Sequence, residues 1–242
     1  MKIFVSLIVQ FILALCVSGV ALAGPPAVFG TGIVGSVHDF SRASWNPEAL
    51  SYKGEICNVC HAPHDGGRKT YKAGLLWNRQ LSSSTYIMYD KSWSPGITHA
   101  QDSQPTGNSK LCLSCHDGSL AIDAFGSYPG TGWRMWDENT NKVIPRFKDA
   151  AGSLDMHGTH PISVTYAAPG GGTAKGFKPA TNTWPGGLTI ADTLQNGKVQ
   201  CSTCHDVHDT PGEVVPGTQL LRAGLTAKQG GASALCLTCH DK

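Results

Sequence analysis

The pattern Cys-x-x-Cys-His occurs four times in this sequence of 242 residues, and it constrains the chain more than any other feature. The four copies, called motifs 1 to 4 below, are CNVCH (57–61), CLSCH (112–116), CSTCH (201–205) and CLTCH (236–240). The sequence has nine cysteines, and only Cys16 lies outside the motifs. Any fold of this chain must therefore place four equivalent groups of two thiols and one imidazole.

The spacing within each motif predicts covalent attachment of haem. Two thiols separated by two residues can add to the two vinyl groups of haem c as thioethers, and the next histidine reaches the iron from the proximal face. Disulfide scaffolds and zinc sites also use many cysteines, but neither explains a histidine directly after every pair. We therefore predict a tetrahaem c-type cytochrome. Its haem-binding cysteines are Cys57, Cys60, Cys112, Cys115, Cys201, Cys204, Cys236 and Cys239, and its proximal iron ligands are His61, His116, His205 and His240.

The first 23 residues have the pattern of a secretory signal peptide. One positive residue, Lys2, precedes an apolar run, and alanines occupy positions 21 and 23 before Gly24. An uncleaved membrane anchor is the alternative, since no charged residue occurs between Lys2 and Asp39. We expect cleavage before Gly24 and export, to either the periplasm or the cell exterior. The net charge of +2 is too small to suggest a nucleic acid or an acidic membrane as partner.

An internal repeat divides the chain into two similar modules. CNVCHAPHD (57–65) aligns with CSTCHDVHD (201–209), and LCLSCHD (111–117) aligns with LCLTCHD (235–241). A leucine doublet followed by an arginine also occurs in each copy, and we align Leu75, Leu76 and Arg79 with Leu220, Leu221 and Arg222. The predicted organisation is a signal peptide (1–23), a first dihaem module (24–126), a connecting segment (127–154) and a second dihaem module (155–242).

The repeat also indicates the distal iron ligands. Each copy has one histidine shortly after its first motif, His64 or His208, and one upstream of it. The upstream residue is His38 in the first copy and either His157 or His160 in the second. We choose His160 because Pro161 holds the preceding residue in extended backbone, while His157 stays the alternative. The predicted distal ligands are therefore His38, His64, His160 and His208, which would make every iron bis-histidine.

His64 follows His61 so closely that it cannot reach the opposite face of the same haem. We therefore predict that it ligates a neighbouring haem, and that His208 does the same in the second module. His99 has no counterpart in the second copy and is predicted to be a solvated loop residue. The methionines that follow the signal peptide also lack repeat partners and are predicted to pack in the core: Met88, Met135 and Met156.

The predicted fold is a multihaem cytochrome c that is mostly irregular. We expect short helices at the attachment motifs and few short strands, one of them at 162–166, packed around a chain of four haems. Turn formers dominate 127–154, which carries Trp133 and Trp136, and the insert at 168–187 is predicted to be loop. The aromatic residues of this insert are expected to cover haem edges or a subunit contact. Because haem would supply most of the core, we predict that the apoprotein is unfolded.

These residues resemble a known group of proteins. The order GSVHDFS, CNVCHAPH, LLWNR, CLSCHDGS, GTHPISVTY, CSTCHDVH and CLTCH is similar to that of multihaem cytochromes with doubled Cys-x-x-Cys-His motifs. Among these it most resembles the OmcE-like tetrahaem outer-membrane cytochromes of metal-reducing bacteria, which polymerise into extracellular filaments (nanowires). The resemblance covers nearly the whole chain after the signal peptide and is weak at 120–155 and 167–198.

The resemblance implies closely spaced haems, bis-histidine ligation by the residues named above, and electron transport along a polymer. One haem can then take its distal histidine from a neighbouring subunit, and the partners are redox cytochromes and extracellular electron acceptors. An electron-transfer protein, not an enzyme, is the favoured function, because two axial histidines leave no open coordination position. A monomeric periplasmic carrier is the first alternative. A multihaem oxidoreductase is the second, and it needs one open haem site, as would arise if His38 or His160 were not a ligand.

Overall fold

The computed structural model describes residues 30–43, 45, 56–62, 76–90, 92, 99–126, 129–130, 132, 154–166, 176–226 and 233–241. The predicted signal peptide and most of the connecting segment lie outside these ranges, as do His64, Met135, Trp133 and Trp136. Within the described ranges, no helix is both long enough and apolar enough to cross a bilayer.

The helices are short and lie mainly at the attachment motifs. In the described part of the chain they are α1 (Gly107–His116), α2 (Ile190–Thr193), α3 (Cys201–Cys204) and α4 (Ala234–Cys239), with a 3-10 helix at Phe40–Arg42. Motif 2 forms the end of α1, α3 spans the two cysteines of motif 3, and α4 includes both cysteines of motif 4. The attachment motifs thus account for three of these four α-helices.

Two pairs of very short strands connect distant parts of the chain. β1 (Tyr86–Ile87) pairs in parallel with β2 (Leu154–Asp155), and β3 (Val164–Thr165) pairs antiparallel with β4 (Lys198–Val199). β3 occupies part of the strand predicted at 162–166. It begins only at Val164 because Ser163 has a positive φ of 55°, which interrupts extended backbone. The Ser163 hydroxyl instead accepts a hydrogen bond from the amide of Thr106 at 2.9 Å.

Within the described residues, some of the buried apolar side chains form two small clusters. The first contains Tyr86, Leu113, Leu154, Met156 and Ile162, with Met88 and Cys201 packed against it; the second contains Val164, Tyr166, Ile190 and Val199. The first cluster therefore draws residues from both predicted modules and from the segment between them. Met88 and Met156 pack in it, as predicted, and the two modules share this part of the core.

A buried polar network joins α1 to α3. The Ser109 hydroxyl accepts a hydrogen bond from the amide of Cys201 at 2.9 Å and donates to Oε1 of Gln200 at 2.6 Å. Ser109 is 0% exposed and Gln200 is 2% exposed, so these polar groups depend on each other for hydrogen bonds. Asn108 adds a bond from Nδ2 to the hydroxyl of Ser202 at 3.2 Å. The network places motif 2 directly against motif 3.

The backbone shows that the leucine doublets repeat in a different register from the one expected. The amide of Ala62 donates to the carbonyl of Leu76 at 2.8 Å, and the amide of Asp206 donates to the carbonyl of Leu220 at 2.9 Å. Leu76 and Leu220 also share a left-handed backbone, with φ of 53° and 60°. The alignment of Leu76 with Leu221 is therefore wrong by one residue. The counterpart of Arg222 is Asn78, not Arg79. The amide of Arg222 donates to the carbonyl of Cys204, and the amide of Asn78 donates to the carbonyl of Cys60.

Candidate functional site

One turn of backbone brings together the thiols and the imidazole of each motif. The amides of His61, His205 and His240 donate to the carbonyl of the first cysteine of their motif, at 2.8, 3.0 and 2.9 Å respectively. Motif 2 has the same arrangement as the last turn of α1. Such a bond from residue i+4 to residue i closes a single helical turn. All eight cysteines are free thiols in the structure.

Three of the four motif histidines lie opposite a histidine that is distant in sequence. The ring centroids are 6.1 Å apart for His38 and His116, 6.3 Å for His61 and His208, and 6.2 Å for His160 and His240. Metal–imidazole bonds are about 2.0–2.1 Å long, so two imidazoles on opposite sides of one ion have centroids about 6.3 Å apart. All three spacings therefore fit an iron held between two axial histidines.

These pairs include three of the four predicted distal ligands. His38 and His160 each face the second motif of their own module, whereas His208 faces motif 1 of the other module. The fourth predicted ligand, His64, lies outside the described residues. Among the residues that are described, no histidine ring contacts His205.

Backbone carbonyls determine which nitrogen of two histidines can bind a metal. Nδ1 of His205 lies 2.8 Å from the carbonyl oxygen of Gln219, and Nδ1 of His160 lies 2.9 Å from that of Pro161. A carbonyl oxygen only accepts, so Nδ1 carries the proton and the lone pair of Nε2 is available to a metal. Hydrogen bonds of this kind orient metal-ligating histidines and raise their basicity.

Burial keeps the histidines at the centre of the structure neutral. Burial, together with the nearby His116, His205 and His208, lowers the pKa of His38 to about 4. Burial also lowers the pKa of His116 and of His205. A neutral imidazole is the form that binds a metal, so the environment favours the ligating state of these residues.

Two buried carboxylates hold the backbone around His208. Oδ1 of Asp206 accepts from the amide of His208 at 3.1 Å, and Oδ2 accepts from the amide of Thr210 at 3.0 Å. Burial raises the pKa of Asp206, but these hydrogen bonds outweigh it and the pKa lies below its usual value. Asp209 is 0% exposed and accepts from the amide of Gly30 at 2.6 Å. It thereby fastens the segment that leads to His38.

His157 has a different environment from His160. Its Nδ1 lies 3.0 Å from Oδ1 of Asp155, and its ring packs edge-on against Tyr89 at a centroid distance of 6.1 Å. The backbone amide of His157 also donates to Oδ1 of Asp155, at 2.8 Å. The described contacts of His157 are thus with a carboxylate and a phenol ring, whereas His160 faces His240. Among the described contacts, His160 and not His157 is paired with the histidine of a motif.

His99 is not the solvated loop residue that we expected. It is half-buried, and its ring meets Phe177 edge-on at 5.0 Å. Phe177 in turn lies 4.7 Å from the ring of His240 and forms an isolated β-bridge with it. Phe177 therefore orients a motif histidine, and the sequence signalled this only as one aromatic residue within the 168–187 insert. Exposure of His99 was predicted wrongly because Phe177 approaches it from a distant segment.

Consecutive motifs along the sequence are neighbours in space. Burial, together with Cys115 of motif 2, raises the pKa of Cys60 to about 12. The hydrogen bond between the thiols of Cys112 and Cys201 joins motif 2 to motif 3, raising the pKa of Cys112 and lowering that of Cys201 to about 7. Burial, together with the cysteines of motif 4, raises the pKa of Cys204 to about 12. The four attachment sites thus follow one another in chain order.

The donor set fits haem. Each histidine pair places two imidazole rings 6.1 to 6.3 Å apart, and two imidazole ligands would leave the other coordination positions of an iron to a planar macrocycle. Each pair also includes the histidine of an attachment motif. Over the residues that the structure describes, no group of three or more His, Cys, Asp and Glu side chains converges on a metal position. No family model matches the sequence, and comparisons with curated proteins and with solved structures give no match.

Proposed function

We propose that this protein is a tetrahaem c-type cytochrome that transfers electrons and has no enzymatic activity. The observation that carries the proposal is the set of three histidine pairs with iron-sized gaps, each joining a motif histidine to a remote one. Four covalently attached haem c groups supply reversible one-electron chemistry at iron. The multihaem cytochrome fold is part of the same proposal.

The residues of the chain would give each iron the same two histidine ligands in both redox states and would leave no position for a substrate. Each cysteine pair and its histidine share one helical turn and would hold one haem, and the histidine that faces His61, His116 or His240 would be the second ligand of that iron. Carbonyl oxygens hold His160 and His205 in the tautomer that binds through Nε2. Two histidine ligands on each iron would leave no open site for a substrate, and the same ligands would serve both redox states. The order of the attachment cysteines supports a single path from motif 1 to motif 4.

The repeat assigns His64 to motif 3. In the structure His208, from the second module, faces His61 of motif 1. His64 and His208 occupy equivalent positions of the repeat, as do His61 and His205. If each residue of the observed pair, His208 and His61, is replaced by its equivalent in the other module, the result is a pair of His64 with His205. We propose that His64 completes motif 3, either within the chain or from a neighbouring subunit.

Histidine variants of the purified, exported protein test this ligation. We expect four covalent haems per wild-type chain, all low-spin in ferric spectra. The variants His64→Ala and His208→Ala should keep four haems but each produce one high-spin iron, at motif 3 and motif 1 respectively, because each removes one axial ligand. His160→Ala should do the same at motif 4, whereas the matched controls His157→Ala and His99→Ala should stay low-spin. A high-spin iron in the wild type would favour the oxidoreductase alternative.

The cellular setting is proposed from the sequence. The signal peptide pattern supports export, and the resemblance to filament-forming cytochromes supports self-association at the cell surface. In that setting the protein carries electrons from redox partner cytochromes to extracellular acceptors. Electron microscopy of secreted material from expressing cells is expected to reveal filaments whose density contains a continuous row of haems. Monomers alone at high concentration would favour the periplasmic carrier instead.

A further inference from the structure

Leu237 is an exposed apolar residue whose counterpart in the repeat is buried. It lies between the two cysteines of motif 4 and is 40% exposed. Leu113 has the same position in motif 2, is 2% exposed, and packs in the first cluster of buried apolar residues. Both leucines occupy the same position relative to their attachment cysteines, so haem attachment alone does not distinguish them. The difference in exposure therefore comes from the segments of chain around each motif.

Val34 differs from its counterpart in the same way. It precedes His38 by four residues and is 67% exposed, whereas Met156 precedes His160 by four residues and is 3% exposed. The structure supports this alignment, because His38 and His160 each face the histidine of the second motif in their own module. Met156 packs in the same cluster as Leu113. The two exposed residues are thus the counterparts of two residues that share one buried cluster.

The buried pair joins the two modules. Leu113 comes from an attachment motif of the first module, and Met156 comes from the segment that leads to the distal histidine of the second. The opposite combination would use the motif of the second module, with Leu237, and the segment of the first, with Val34. In the described structure neither of these residues belongs to an apolar cluster. One chain therefore makes this contact once and presents both halves of it again on its surface.

We propose that a second copy of this chain docks on motif 4, where Val34 of that copy packs against Leu237. The contact repeats, between chains, the packing of Met156 with Leu113 inside one chain. Each copy presents one half of the contact at motif 4 and the other half before His38, so the interface is heterologous and joins copies head to tail. The inference rests on the proposed function, because it names the surface through which the chain would self-associate.

Assembly of the haem-loaded protein, measured by analytical ultracentrifugation and electron microscopy, tests this surface. Leu237→Asp and Val34→Asp should each weaken association by at least about tenfold, because each loses an apolar contact and places a carboxylate at the interface. Ile87→Asp is the matched control: Ile87 is 42% exposed and takes no part in the proposed contact, so this variant should assemble as the wild type does. All three side chains are exposed, so the variants should fold, and haem content with low-spin spectra checks this.

An equimolar mixture of the two variants tests the head-to-tail arrangement. The Leu237→Asp chain keeps an intact Val34 surface, and the Val34→Asp chain keeps an intact Leu237 surface. Each variant alone should stay monomeric at concentrations where the wild type assembles. The mixture should yield heterodimers that do not grow into filaments, because each heterodimer has used both intact surfaces.

Two results would overturn the docking surface while leaving the proposed self-association in place. One is filament formation by Leu237→Asp or Val34→Asp as readily as by the wild type, which would leave these side chains to another partner, such as a redox cytochrome. The other is a mixture of the two variants without heterodimers. A wild type that stays monomeric at high concentration contradicts both the docking surface and the self-association, and this is seen before any variant is made.

Discussion

Single buried polar residues decide where the remote histidines lie. Asp206 and Asp209 follow motif 3 within four residues of its last position, and each accepts hydrogen bonds from backbone amides. The first holds the turn that carries His208, and the second holds the segment that precedes His38. In the first repeat Ala62 occupies the position of Asp206, so that carboxylate is specific to the second module. Ligand geometry therefore depends on residues that bind no metal.

Replacing Asp209 should weaken the hold on the N-terminal segment. Asp209→Ala removes the acceptor for the amides of Gly30 and Thr31 and leaves alanine at a φ of 53°. We expect a loss of about 2–3 kcal/mol in the free energy of unfolding, from the unsatisfied amides and the left-handed backbone together. Urea unfolding of the haem-loaded protein measures it. Asp209→Asn keeps an acceptor oxygen and tolerates this backbone, so it should lose clearly less; an equal loss in the two variants would contradict this account.

Tertiary contacts rather than intrinsic propensity stabilise the helices. The N-cap of α1, Thr106, makes no side-chain capping bond. The amide of Asn108 donates instead to Oε1 of Gln195 at 2.6 Å, from the second module. Helices of four to ten residues are marginal in isolation, so such bonds decide whether the motif regions are helical at all. The helix that contains motif 2 thus depends on the module that contains motif 3.

The start of α1 provides a test of this contact. Gly107 has a φ of +53°, and a Cβ atom there would lie 2.1 Å from Oε1 of Gln195. Gly107→Ala should therefore displace Gln195 and leave the amide of Asn108 unsatisfied. Gly197→Ala is the matched control, since Gly197 has a φ of +72° and open space around it. We expect about 1–2 kcal/mol of destabilisation from backbone strain in both, and about 1–3 kcal/mol more for Gly107→Ala. Equal urea midpoints would show that the Gln195 contact contributes nothing.

At the scale of the whole molecule, the clusters of buried apolar residues in the described ranges are small. The two buried clusters contain five and four residues, and large hydrophobic side chains such as Val34 and Val37 are more than half exposed. The modules also share one cluster and the polar network of Ser109 and Gln200. A core of this size offsets little of the conformational entropy of the chain. We propose that covalently attached, axially ligated haems supply further stability.

We therefore expect the chain without haem to be unfolded. Expression in the cytoplasm, where c-type haem attachment does not take place, should yield a protein whose far-ultraviolet circular dichroism has no cooperative thermal transition. The haem-loaded protein from the periplasm should unfold cooperatively, because each haem connects two distant segments through its axial histidines. A folded apoprotein in this measurement would contradict the prediction.

The sequence alone predicted which residues bind haem and how many sites there are. Cysteine spacing and the following histidine are local features, since one helical turn brings them together wherever the motif occurs. Alignment of the repeats identified the candidate distal ligands because equivalent positions in the two modules have similar local sequence. These candidates are His38, His64, His160 and His208. The prediction of mostly irregular structure followed from the turn formers and from the lack of helical periodicity.

Only the tertiary structure decided which histidines face each other. His208 could serve any neighbouring motif by sequence, and its position opposite His61 depends on the packing of α1 against α3 and on the path of the chain between modules. The same packing brought Phe177 onto His99 and His240, buried the side chain of Arg79, and set the register of the leucine doublets. Contacts between distant segments depend on the sum of many weak interactions, and no local pattern records them.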